Sequence, residues 1–302
     1  MEYALLIEDV KEYRGKSLSA YHLCMGDKRN GLTDADRYYK QFVNEELSFL
    51  YFGNEFCEYR LPSAEQLRRL SELCFKEDLT PFFVTPPVTD YGLEIIEQLM
   101  DIVFCEKLLS DVVVNDVGVM TLIHRKYPGI NLIAGRILDK TSHDSRATSS
   151  ELEMYYGENG IKYAMTPGVV SRPSLTVFQE YGVTRFEFDL PKVGLMLPDY
   201  IGCSLYWPYS YLTTGRVCLF HSMVSDARQT HLVGNHDCNQ LCRKYQIEKR
   251  KPINGLVTDN GQKISELFLF QKGNTIFYVN DIKDEKQFSS RLEQFDRLII
   301  QS

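Results

Sequence analysis

Short apolar runs alternate with helix-periodic stretches from Leu47 to Tyr209, and this alternation constrains the fold more than any other feature of the chain. LSFLYFG (Leu47–Gly53) reads as a strand that ends in glycine. Behind it, Pro62 and Ser63 open a helix in which Gln66 completes a capping box. Leu67, Leu70 and Cys74 share the buried face of that helix. PFFVTPPV is a strand stopped by two prolines, and Leu93–Phe104 is helical with Cys105 near its end. DVVVND is an apolar run between acids, as expected of a parallel strand covered on both faces. VGVMTLIHRK is helical up to Pro128 and Gly129, and NLIAGRILDK is the next strand. The polar stretch Thr141–Ser150 leads to a short helix over Glu151–Tyr156. IKYAMTPG, a helix from near Pro173 to Tyr181, RFEFDLP and IGCSLYWPY continue the alternation.

About seven such units, spaced as βα units require, predict an α/β chain folded as a TIM-barrel-like (β/α)8-type barrel, irregular in places. No glycine-rich dinucleotide turn follows any strand, which weighs against an open doubly wound sheet. The pattern changes after Cys242. Within residues 253–302, KISELFLF and NTIFYVN read as an antiparallel hairpin joined by Gln271, Lys272 and Gly273. An amphipathic helix over Lys286–Ile300 follows, and both elements finish or cap the barrel. Residues 1–302 are read as a single domain.

Cysteines carry the chemistry. Four of the eight fall in the 203–245 stretch: Cys203, Cys218, Cys238 and Cys242. Cys238 and Cys242 are four apart, a spacing that aims both sulfurs the same way on a helix or tight turn. Cys218 joins them, and a fourth ligand is needed to close a tetrahedral zinc site or a cubane cluster. Residues just after barrel strands gather on one face, and Cys57 lies four residues beyond Gly53, so topology selects Cys57. Cys203 sits inside a strand, Cys74 and Cys105 belong to helices, and Cys24 precedes the first assigned strand. His221, His231 and His236 lie among the thiols and are read as solvated or supporting groups. Spacing alone leaves [4Fe–4S] and zinc open. The N-terminus MEYALLIEDVKEY lacks a secretory h-region, and no apolar run reaches membrane-spanning length. The expected location is therefore cytoplasmic, where thiols stay reduced.

Polar residues at predicted strand ends supply candidate substrate contacts: Asn115, Arg136, Glu187 and Arg216, with Asp116 read as a helix N-cap. Two arginines at one mouth would suit a small-molecule carboxylate. A net charge of −7 argues against a nucleic-acid surface. No GxSxG elbow or HExxH is present, so conventional hydrolysis finds little support.

YFGNEFCEYR, SDVVVNDVGVMTLIHRKYPGINLIAGRILDK, RVCLF and CNQLC together resemble the U32 peptidase-like family. The likeness is to its short iron–sulfur members of oxygen-independent ubiquinone biosynthesis and covers roughly Leu47–Tyr245. In that group one cysteine follows an early strand, another lies past the middle, and a CxxxC pair closes the set. The matching positions are Cys57, Cys218, Cys238 and Cys242. The longer members' ExFxxGxxC signature is replaced here by CSLYWPYSYLTTGRVC. The resemblance implies a [4Fe–4S] cluster, with zinc as the alternative occupant. It implies oxygen-independent hydroxylation or electron transfer, and pairing with a related U32 protein as a heterodimer. A U32-type peptidase, or a non-catalytic scaffold stapled by zinc or iron–sulfur, are the competing expectations.

Overall fold

The computed structural model describes residues 1–8, 46–143, 149–222, 238–249, 269–280 and 290–301. Eight parallel strands close into a barrel with helices between them. In chain order its first strands are β1 (Glu2–Ile7), β2 (Phe49–Gly53), β3 (Thr80–Thr85) and β4 (Asp111–Val114). β5 (Asn131–Ala134), β6 (Arg185–Phe188) and β7 (Gly202–Trp207) follow. Four further strands form a second sheet: β8 (Tyr209–Thr214), β9 (Ile247–Lys249), β10 (Leu269–Lys272) and β11 (Thr275–Val279). β12 (Arg297–Gln301) closes the barrel between β7 and β1.

The alternation of side chains explains why these runs are apolar throughout. Along β1, Ala4 and Leu6 point into the lumen with Tyr51, Val84, Val113, Ile133, Tyr206 and Ile299. Leu5 and Ile7 point outward and pack, with Leu50, Phe52, Val112 and Val114, beneath the helices. Both faces are thus dry, and a parallel strand needs no polar alternate position. The covering helices include α1 (Ala64–Lys76), α2 (Asp90–Glu106) and α3 (Val117–Lys126). The capping box at Ser63 and Gln66 forms as its residues predict, and Leu67, Leu70 and Cys74 are buried. Asp116 caps α3, its Oδ1 accepting the N–H groups of Gly118 and Val119.

Three elements differ from the sequence expectation. IKYAMTPG is not a strand: Ile161–Met165 ends α4 (Ser149–Met165), a helical segment broken at Gly157, and α5 (Arg172–Glu180) follows. NLIAGRILDK is a strand only to Ala134, after which the chain turns through Gly135–Leu138. The expected helix over Lys286–Ile300 is corrected most sharply, because Arg297–Ile300 lies in β12. Its Leu298 and Ile300 face the helices and Ile299 faces the lumen, so a short all-buried strand mimics a helical face. Residues 286–289 lie outside the described residues, as does Cys24. β1 lies ahead of the alternation that begins at Leu47. With β12 in place, Cys218 and the Cys238/Cys242 pair follow the seventh barrel strand in chain order.

The hairpin forms, with Lys272 paired to Thr275 and the turn at Gly273–Asn274, one residue beyond the expected connection. Residues 263–268 of the expected first strand lie outside the described residues. β8, β11, β10 and β9 are neighbours in that order in an antiparallel sheet. Phe270, Phe277, Val279, Tyr209 and Tyr211 of this sheet pack on Phe56 and Ile137, which leave β2 and β5. The sheet therefore lies over the C-terminal mouth of the barrel, the face on which barrel chemistry collects.

Candidate metal centre

Gly53 ends β2 with φ +132°, and a Cβ there would sit 2.1 Å from the Val84 carbonyl oxygen. Only glycine lets β2 stop this close to β3. Asn54 then folds the chain back: its Oδ1 accepts the N–H of Phe56 at 3.1 Å and of Cys57 at 2.7 Å. Cys57 is thereby fixed at the barrel mouth. Glu58 next accepts the N–H and hydroxyl of Thr89 at 2.7 and 2.9 Å, tying this loop to the one after β3.

Three further ties bring the remaining cysteines to the same place. Asn274, at the hairpin turn, donates to the carbonyls of Phe56 (2.7 Å) and Gly215 (2.6 Å). Arg216 donates to the Val88 carbonyl at 2.7 Å and lies 3.7 Å from Glu58. Gln240, between the CxxxC cysteines, donates to the Tyr59 carbonyl. Cys218 precedes the short helix α6 (Leu219–Ser222), and Cys242 is buried in a single 3-10 turn over Leu241–Arg243.

The result is a cavity of about 230 Å³ lined by Cys57, Cys218, Cys238 and Cys242 together. Phe56 and Phe277 form apolar wall, and Arg60, Arg216, Lys272, Glu8 and Glu58 supply charge. Lys272 meets Glu8 at 2.8 Å and Arg60 meets it at 3.5 Å. Burial would push the Glu8 carboxyl up, but Lys272 and Arg60 reverse this and hold it at about 2. Burial pushes the Cys57 thiol to about 12, with Cys242 and Cys238 adding to the rise and Arg60 opposing it. Cys218 and Cys242 are raised for the same first reason, and each also feels Cys238.

The donor set fits a thiophilic centre: four sulfurs from three chain segments face one space and feel one another's charge. Among the described residues no three His, Cys, Asp or Glu side chains stand close enough to coordinate an ion directly. His221 also lines the cavity, whereas His231 and His236 lie outside the described residues. Cys74 and Cys203 are buried elsewhere, and Cys105 is exposed on α2.

Of the expected substrate contacts, only Arg216 reaches this cavity, where it is half exposed. Arg136 is fully buried beneath the second sheet. Its Nε and Nη2 donate to Glu55 at 2.9 and 2.6 Å, and its Nη1 donates to Asp189 at 2.6 Å and the Tyr209 carbonyl at 3.1 Å. Its guanidinium lies 4.0 Å over the Tyr206 ring. Asn115 bridges strand ends, donating to the Thr85 carbonyl at 3.0 Å and accepting the Ile137 N–H at 3.1 Å. Glu187 is buried in the lumen, where it accepts the Tyr206 hydroxyl at 2.6 Å.

Glu8, Asn54, Arg60, Gln240, Lys272 and Asn274 belong to the site but were not among its expected residues. Asn54 had a local signal, an Asn three residues before Cys57 at a strand end. The Glu8–Lys272 pair spans 264 residues, and no local pattern reports it.

No protein-family model matches the chain, and no curated protein matches it. Solved structures similar to it include the U32 peptidase Mk0906, at 10% identity and a TM-score of 0.38, covering 100% of this chain and 92% of that one. Another is the spore cortex-lytic enzyme SleL of Bacillus megaterium QM B1551, at 8% identity and a TM-score of 0.37, covering 99% and 70%. Neither likeness speaks to chemistry. No helix among the described residues is long and apolar enough to cross a membrane.

Proposed function

We propose that the chain is a U32-type iron–sulfur protein in which Cys57, Cys218, Cys238 and Cys242 hold a [4Fe–4S] cluster at the barrel mouth. One observation carries this reading: cysteines as far apart in sequence as Cys57 and Cys242 line a single cavity on the face where barrels do chemistry. Bound there, the cluster would supply one-electron chemistry for oxygen-independent hydroxylation or for electron transfer. The protein's own part is to aim the thiols and to keep water away. Asn54 sets Cys57, Asn274 and Gln240 lock the overlying segments, and Arg60 and Lys272 place positive charge beside a centre that four thiolates make negative. Arg216, half exposed at the same cavity, is placed to meet an anionic group on a small-molecule substrate. A heterodimer with a related U32 protein belongs to the same proposal.

A peptidase reading has less support. An attacking cysteine needs a lowered pKa, and burial moves Cys57, Cys218 and Cys242 the other way.

Anaerobic purification and reconstitution test the proposal. About four irons and four sulfides per chain are expected, with broad absorbance near roughly 400 nm. Serine at any of the four positions should cost most of that iron, while Cys74→Ser and Cys105→Ser should keep it. Stoichiometric zinc without iron after reconstitution would sink the cluster and leave a zinc-stapled scaffold.

A further inference from the structure

The turn that leaves β5 carries polar groups that no described residue satisfies. Asp139 is 1% exposed, and its Oδ1 accepts the Thr141 N–H at 2.7 Å while Oδ2 has no partner among the described residues. Both ring nitrogens of His143 are unpartnered in the same way, and the Thr141 hydroxyl faces the Asp139 carboxyl. Buried polar atoms are rarely left so, and three within five residues call for an occupant. The His143 ring packs on Tyr211 with centroids 4.0 Å apart, which leaves Nε2 3.9 Å from Asp139 Oδ1. That gap is too long for a hydrogen bond. Two ligands about 2.0–2.2 Å from one tetrahedral ion lie roughly 3.3–3.6 Å apart, so the pair need close by only a few tenths of an ångström to share one.

We propose that Asp139, Thr141 and His143 form a site for a divalent first-row cation, separate from the cysteine cavity. The carboxylate, the hydroxyl and one imidazole nitrogen are its protein ligands. A carboxylate with an imidazole suits Mn²⁺, Fe²⁺ or Zn²⁺ better than a soft, thiophilic ion. The surroundings offer Asp139 no cation of its own, because the Arg136 guanidinium is taken by Glu55, Asp189 and the Tyr209 carbonyl. Burial accordingly holds the Asp139 carboxyl well above its usual range, although the Thr141 N–H and hydroxyl oppose it. Burial also lowers His143, which favours the neutral ring that a metal requires.

The backbone is bent to make this arrangement. Lys140, between two of the ligands, has φ +55°, a conformation unfavourable for a residue with a side chain. The strained turn is braced from outside: the N–H groups of Gly168 and Val169 donate to the carbonyls of Lys140 (3.3 Å) and Asp139 (3.0 Å). A Cβ at Gly168 would lie 2.9 Å from the Lys140 Cβ, so glycine lets the brace approach. Enforced strain of this kind concentrates at ligand clamps. None of the three residues lines the cysteine cavity, and Tyr211 links them to its wall through Phe56, 5.5 Å from it.

Mn²⁺ is the probe, since it binds oxygen and imidazole ligands and disregards thiols. Full-length protein is titrated with Mn²⁺ and the free-ion EPR signal is followed. A single saturable site with Kd below about 1 mM is expected. Asp139→Asn and His143→Gln should each weaken it at least about tenfold. Cys57→Ser should leave it unchanged. No saturable binding would mean that a bridging water or a proton on Asp139 satisfies the turn, and the site falls. Mn²⁺ affinity unchanged in a folded Asp139→Asn variant would also overturn it. Should that variant fail to fold, Thr141→Val decides, because unchanged affinity there removes the site equally.

Discussion

Glu187 sits in the barrel lumen as a carboxyl without a cation of its own. It is fully buried and accepts the Tyr206 hydroxyl through Oε2, with the Tyr51 hydroxyl also facing the carboxyl. Burial is the main reason its pKa rises from 4.5 to about 8, with Glu55 adding to the rise and the Tyr206 hydroxyl opposing it. The folded protein therefore holds a proton that the unfolded chain releases near pH 4.5. The stability tied to that proton is complete below about pH 4.5 and is lost as pH climbs to about 8. The gap is about 3.5 units and each unit is worth about 1.4 kcal/mol, so the loss has a ceiling of about 5 kcal/mol. Glu187→Gln keeps the shape and an acceptor for Tyr206 but cannot ionise. The variant should match the parent at pH 5 and exceed it by at least about 2 kcal/mol at pH 9. Urea unfolding at pH 5, 7 and 9 measures this difference. Comparing variant with parent cancels the contribution of Glu55, which burial raises to about 7. Parallel stability–pH curves for the two proteins would refute the argument and place an ionised Glu187 in the lumen.

The other expectations concern the groups that aim the thiols and hold the mouth together. Arg136→Lys should destabilise the fold by about 3–5 kcal/mol, because Lys cannot span Glu55 and Asp189 and leaves a buried carboxylate uncompensated. Thermal unfolding checks this, and a near-parent midpoint would contradict it. Asn54→Ala removes the acceptor of two N–H groups beside Cys57 and should cost about 1–3 kcal/mol. Iron bound after reconstitution should fall in the same variant. Gly53→Ala forces a Cβ onto the Val84 carbonyl and should cost more than about 4 kcal/mol, read as loss of soluble, folded protein.

The barrel was legible because its strands are buried on both faces. Continuous apolar runs such as DVVVND, separated by helix signals such as the Ser63–Gln66 box, leave few other architectures. The same property hid β12, since Arg297–Gln301 is too short and too uniformly buried for its period to show. Among the site residues, Cys57 could be chosen from its place after a strand, and it does share a cavity with Cys218, Cys238 and Cys242. The arginines could not be told apart in that way. Arg136 and Arg216 both follow predicted strands, yet one is wholly buried on two acids and the other stands half in solvent. What separates them is Glu55 and Asp189, acids 81 and 53 positions from Arg136, and only the folded barrel brings them to it.

β12 also sets an order of events. β1 finds one of its two neighbours immediately down the barrel in β2, but the other, β12, lies so far along the chain that Glu2 and Arg297 meet across 295 positions. During synthesis the early strands must wait with one edge uncovered, and such edges are where chains stick to one another. The cysteine cavity matures on the same late schedule, because Lys272 and Asn274 must arrive before Glu8 gains its second cation and the Phe56 and Gly215 carbonyls are joined. A nascent chain would thus offer Cys57 to oxidants long before its three partners exist. Chaperone demand and loading of the proposed cluster should both rise once β12 has emerged.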